Sequence, residues 1–114
     1  MLISNAGVNP HYGPMSDISD EAFDKTMATN VKSNHWLCQM VAPDMQERGG
    51  GSIMITSSVG AFEPSLHLGT YAISKLAVIG LVRNLAVEYG SQNIRVNAIC
   101  PAIIKSDFAK AFWD

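Results

Sequence analysis

The sequence predicts an α/β fold built on a parallel sheet, and three observations predict it. Short apolar runs alternate with two long helical stretches, in the order β-α-β-α-β. Each long stretch carries its own start and stop residues. Each apolar run is followed by small polar residues, Gly or Pro. One long helix between each pair of strands implies parallel strands joined by right-handed crossovers.

The elements follow in order. Leu2-Ile3 is a minimal apolar start, too short to establish a strand alone. Asn5 to Pro14 is dense in Asn, Gly and Pro, and reads as loop. Ser19 is an N-cap, with Asp20 and Glu21 placing negative charge at the positive end of the helix dipole. Ala22 stands where a capping-box Glu or Gln would stand. This helix runs to about Glu47, with an apolar stripe of Phe23, Met27, Val31, Leu37, Met40, Val41 and Met45. Pro43 predicts a kink or break near its preceding turn. Gly49-Gly50-Gly51 ends the helix.

Ser52 to Ser57 is a compact apolar run and predicts a buried strand, with Ser58 at its carboxyl end. Gly60, Pro64 and Gly69 mark the next loop. The second long helix covers Thr70 to Tyr89 and packs through Leu76, Ile79, Gly80, Val82, Leu85, Ala86 and Tyr89. Gly90 is its expected C′ residue. Asn93 to Cys100 is a third strand, ended by Pro101, and Ser106-Asp107 cap a last short helix.

Composition excludes several classes. A chain of 114 residues predicts one domain. The net charge of −2 and the absence of a basic run argue against nucleic acid. No apolar run reaches the ~20 residues of a membrane span. The first residues lack the pattern of a signal peptide. Cys38 and Cys100 lie in apolar surroundings and read as free thiols, which places the chain in the reducing cytoplasm. His11, His35 and His67 have no ligand spacing, so no metal site is expected.

The chemistry rests on Ser58, Tyr71 and Lys75. Positions i and i+4 share a helix face, so the Lys75 ammonium lies near the Tyr71 phenol. A neighbouring cation favours the phenolate and is expected to lower the Tyr71 pKa. Tyr71 is then a candidate acid/base, with Ser58 as a second hydroxyl on the same oxygen. Asn5-Ala6-Gly7, Ser57-Ser58 and Cys100-Pro101 all fall at carboxyl ends of strands, where open parallel sheets bind ligands.

These motifs resemble the short-chain dehydrogenases/reductases along all 114 residues. Ser4-Asn5-Ala6-Gly7 is similar to the family's Asn-Asn-Ala-Gly signature, with Ser first. Asn30-Val31 resembles an Asn-Val segment of its fourth helix. Ile53 to Gly60 resembles the strand with the catalytic serine. Tyr71-Ala72-Ile73-Ser74-Lys75 has the active-site form, and Ile94 to Pro101 resembles the strand before a Pro-Gly motif.

The resemblance implies a partial Rossmann-like, doubly wound parallel sheet, corresponding to strands four to six of the family fold. It implies an oxidoreductase that interconverts a carbonyl and a secondary alcohol with NADP or NAD. Tyr71 would be the acid/base, Lys75 would lower its pKa and bond the nicotinamide ribose, and Ser58 would hold the substrate oxygen. Asn30 would hold a water of the proton relay. Asn5, Ala6 and Gly7 would support the adenosine side of the cofactor. Pro101, Ala102 and Ile103 would face the nicotinamide, with Ser106 where the family has threonine. Ala102 stands in place of the motif's glycine and adds a methyl at a close approach.

The family's Gly-rich phosphate loop, between its first strand and first helix, has no counterpart in these residues. Residues 1–114 therefore read as a partial catalytic domain, without that loop and without the last strand. Little activity is expected of them alone. Homo-oligomers through the two long helices are expected, and the alternative is an inactive association module that keeps those helices.

Overall fold

The computed structural model describes residues 1–103, 105 and 107–110. Three strands, β1 (Leu2–Ser4), β2 (Gly51–Thr56) and β3 (Ile94–Ile99), form one parallel sheet in the order β1-β2-β3. Leu2 pairs with Ile53, which pairs in turn with Val96. Leu2-Ile3 is thus a strand by its pairing, which its length could not establish.

The first crossover contains α1 (Asp20–Met27), one π-helical turn (Ala28–Lys32) and α2 (Ser33–Glu47). The Ser19 hydroxyl accepts the Ala22 N–H at 3.1 Å, as an N-cap should. The second crossover is α3 (Gly69–Tyr89). By length and apolarity alone Gly69–Gln92 could cross a membrane, contrary to the sequence expectation. In the fold its Val78, Val82, Leu85 and Tyr89 pack into the core.

Three sequence expectations need correction. The buried line of the first crossover is Thr26, Asn30, Asn34, Cys38, Ala42 and Met45, whereas Phe23, Leu37 and Met40 are exposed. A strict four-residue spacing overshoots the α-helical turn of 3.6. The wider π turn absorbs the excess and keeps these small and polar side chains on one face. Pro43 does not break α2, which runs through it; the change in helical form lies at Ala28–Lys32 instead. Gly90 is not the left-handed residue after α3. Its φ is −59°, and Asn93 takes the positive φ of 61° after a short 3-10 turn.

The end of α2 shows what the triple glycine does. Gly50 N–H bonds the Met45 carbonyl at 2.8 Å, and Gly49 N–H bonds that of Gln46 at 3.1 Å. This is a Schellman closure with Gly49 at φ 87°. Asn93 seals the turn from the other crossover: its amide donates to Gly49 O, and its carbonyl accepts Gly51 N–H, both at 3.1 Å.

The core joins Cys38, Ala42 and Met45 of α2 to the inner residues of α3 and to Ile53, Ile55, Ile94 and Val96 of the sheet. Ile3, Arg95, Asn97 and Ile99 lie on the other face and are exposed. Among the described residues both crossovers cover one face only. Lys110 N–H bonds the Asp107 carbonyl at 3.2 Å. The rest of the expected terminal helix, Ser106 and residues 111–114, lies outside the described residues.

Candidate active site

The carboxyl ends of the strands open into a cleft of about 580 Å³. Hydrogen bonds beyond the ladder hold its floor. Ser57 N–H bonds Ile99 O at 2.7 Å, and Val59 N–H bonds Pro101 O at 3.0 Å. Asn5, Ala6, Gly7, Ser58, Tyr71, Lys75, Pro101, Ala102 and Ile103 all line the cleft. Asn30 does not, and Ser106 lies outside the described residues.

Lys75 is 3% exposed, and its ammonium donates to the Thr56 carbonyl at 3.1 Å. The same nitrogen is 5.6 Å from the centre of the Tyr71 ring. Gly7 permits this packing. A Cβ there would lie 3.2 Å from Lys75 Nζ and 3.4 Å from Asn30 Oδ1.

The expected lowering of the Tyr71 pKa by Lys75 is not what the structure gives. Burial pushes the phenol above 10.0, and a hydrogen bond with Ser58 pulls it partly back. Burial also lowers the Lys75 ammonium. Burial is the larger cause at both groups. Ser58 is fixed in its turn, because its oxygen accepts Gly60 N–H at 3.0 Å.

Asn30 sits on the π turn with no exposed surface. Its Oδ1 accepts Val8 N–H at 2.8 Å, and its Nδ2 donates to Val8 O at 2.9 Å and to Ser74 Oγ at 3.0 Å. It therefore stands behind the cleft wall and pins the loop after β1. Asn34 binds its main-chain carbonyl from one turn on, at 2.8 Å.

Sequence reasoning missed four supporting residues. The Ser57 hydroxyl donates to Lys75 O at 2.8 Å, and the Ser74 hydroxyl to Tyr71 O at 2.6 Å. The Thr56 hydroxyl donates to Asn5 Oδ1 at 2.9 Å. The Phe108 ring lies 6.1 Å from that of Tyr71. Ser57 and Ser74 lie inside motifs read from the sequence, but their bonds to main-chain carbonyls leave no mark there.

The family model for short chain dehydrogenase matches residues 1–114. The chain belongs to this family. Curated relatives of this short-chain dehydrogenase include dehydrogenase/reductase SDR family member 4 of Oryctolagus cuniculus. It is 46% identical over all of this chain and 44% of the relative. The Homo sapiens protein of that name is 44% identical over 99% of this chain and 41% of its own length. The chain thus spans less than half the length of these relatives.

Solved structures agree. A 7α-hydroxysteroid dehydrogenase complexed with NADH and 7-oxo glycochenodeoxycholic acid superposes with a TM-score of 0.91 at 38% identity. The match covers 99% of this chain and 44% of that one. ElxO with NADP bound gives 0.90 at 29% identity, over 96% and 44%. The fold is therefore that of the short-chain dehydrogenases, and the sheet is the expected part of a Rossmann-like fold.

Proposed function

We propose that this chain carries the proton-transfer centre of an NAD(P)-dependent enzyme interconverting a carbonyl and a secondary alcohol. The observation that carries the reading is the single cleft shared by Ser58, Tyr71 and Lys75. A phenol raised by burial stays protonated at neutral pH, so Tyr71 can give its proton to a carbonyl oxygen. Ser58, held by Gly60 N–H, stabilises that oxygen as charge develops. The Lys75 ammonium beneath the ring favours the phenolate left behind.

The cleft fits the nicotinamide-ribose end of a dinucleotide. Lys75 offers a donor for ribose hydroxyls, and Pro101, Ala102 and Ile103 give an edge for the ring. When bound, the cofactor supplies the hydride. Whether NADP or NAD is preferred is a question for titration with both.

The Gly-rich phosphate loop is not encoded in residues 1–114. We therefore expect weak nucleotide binding and little turnover from these residues alone, since orientation can be worth ~7–11 kcal/mol of barrier. The test is oxidation of NADPH and NADH against a carbonyl panel, beside a longer chain that includes the loop. Turnover within about tenfold of the longer chain would show the cofactor anchor misplaced. In the longer chain, Tyr71→Phe should remove nearly all turnover and leave nucleotide affinity unchanged.

We further propose homo-oligomers through the two long helices. Phe23, Trp36, Leu37 and Met40 of the first crossover and Ile73 and Leu76 of α3 stay exposed. The same stripe supports the second reading, association without catalysis, which nucleotide titration separates from the first. Sedimentation at micromolar concentration should show dimers or larger species. A clean monomer would count against both association readings.

A further inference from the structure

We propose that Ser74 is a positioning residue that holds Tyr71 at its depth in the cleft, by tying the first turn of α3 to the Asn30 carboxamide. The inference rests on Tyr71 as the acid/base, but its test needs no turnover. Ser74 has no exposed surface, so it cannot touch a substrate. Its hydroxyl has two partners: it donates to the Tyr71 carbonyl at 2.6 Å and accepts from Asn30 Nδ2 at 3.0 Å. Asn30 in turn grips the Val8 peptide through both of its side-chain atoms. A chain of side-chain bonds thus runs from the Tyr71 backbone to the loop after β1.

The start of α3 explains why such a tether is needed. Leu68 is the N-cap residue, and no side chain caps the helix there. Tyr71 is the third residue of α3, within the uncapped first turn. Such turns leave N–H groups without helical partners and fray. A mid-helix serine bonded only to the preceding turn does little for stability. Here the same oxygen also takes up a buried amide proton. Removing it would leave that donor unpaired, which is costly. Ser57 does for the Lys75 carbonyl what Ser74 does for that of Tyr71, but from the residue that follows β2.

Without the Ser74 tether, the first turn opens and the phenol, partly buried in the cleft wall, becomes more fully hydrated. Its titration midpoint, held up by burial, should then fall towards 10.0. Lys75 and Glu63 are the charged side chains that line the cleft with Tyr71 among the described residues, and neither is altered.

The experiment follows the Tyr71 ring carbon by NMR through alkaline pH, in the 114-residue chain with labelled tyrosine. Tyr71→Phe assigns the signal. Ser74→Ala should lower the midpoint by about half a pH unit or more. Ser74→Thr should restore it, because the hydroxyl returns. Thr26→Val is the control. It removes another buried hydroxyl bonded to a preceding-turn carbonyl, at 2.7 Å, and should leave the midpoint unchanged.

A folded Ser74→Ala chain with an unchanged or raised midpoint overturns the proposal. So does an equal fall in Thr26→Val, or a midpoint that stays low in Ser74→Thr. If Ser74→Ala does not fold, the unmodified chain decides. Asn30 carboxamide protons that exchange much more slowly than those of exposed Asn97 support the tether, and equal rates overturn it.

Discussion

Cys38 has no solvent contact, and burial pushes its thiol above the ordinary value of 9.0. Well below pH 9.0 the thiol is protonated in both folded and unfolded chains, and its contribution to stability is complete. Above that the unfolded chain loses its proton first, so stability falls as pH climbs through the folded value. Tyr71 and Tyr89 act the same way above 10.0. Lys75 opposes them: its folded value lies below 10.5, so stability rises with pH between the two. Urea unfolding of the unmodified chain from pH 8 upward should show falling stability past pH 9.0. Cys38→Ala should start less stable and fall less steeply over that interval; an identical slope would remove the thiol from the account. The spacing of Ser58, Tyr71 and Lys75 was legible in the sequence, because helical periodicity alone places two of them together. The balance of burial against charge was not, since depth belongs to the packed chain.

Gly51 opens β2 directly against the buried side chain of Met45. A Cβ built there runs into the Met45 sulfur and Cγ and comes within 3.0 Å of its Cβ. Gly51→Ala should therefore destabilise the fold by about 1–3 kcal/mol through overpacking. Gly80, inside α3, has nothing within 4 Å of such a carbon. Gly80→Ala should leave stability unchanged or raise it by up to about 1 kcal/mol. Paired denaturant melts check both. Most elements were readable from sequence: caps, breakers and apolar runs located β2, β3 and each long helical stretch to within a residue or two, whereas Leu2-Ile3 became a strand only by its pairing. Their faces were less readable. The apolar side chains Phe23, Leu37 and Met40 suggested a core stripe, yet the π turn brings Thr26, Asn30 and Asn34 inward. Those polar groups are buried because they have partners, and partners cannot be seen in a linear pattern. The left-handed residue at Asn93 was hidden likewise, because Gly90 offered the commoner solution.

The described residues form a three-stranded parallel sheet with the helices of both crossovers on one side. Alternation of strands and helices made that topology legible, and the motif order placed the cleft on the correct edge. The bare opposite face, with Ile3 and Ile99, follows only once the register is known. That register also governs the speed of folding. Leu2 pairs with Ile53, and Gly51 with Ile94, so no strand finds a neighbour until an entire crossover has been traversed. Each such closure costs chain entropy before any contact repays it. Although α1, α2 and α3 are local and form rapidly, the rate-limiting event is the meeting of distant strands. Refolding by stopped flow should therefore take milliseconds to seconds, and complete recovery of tertiary signal in microseconds would contradict the parallel register.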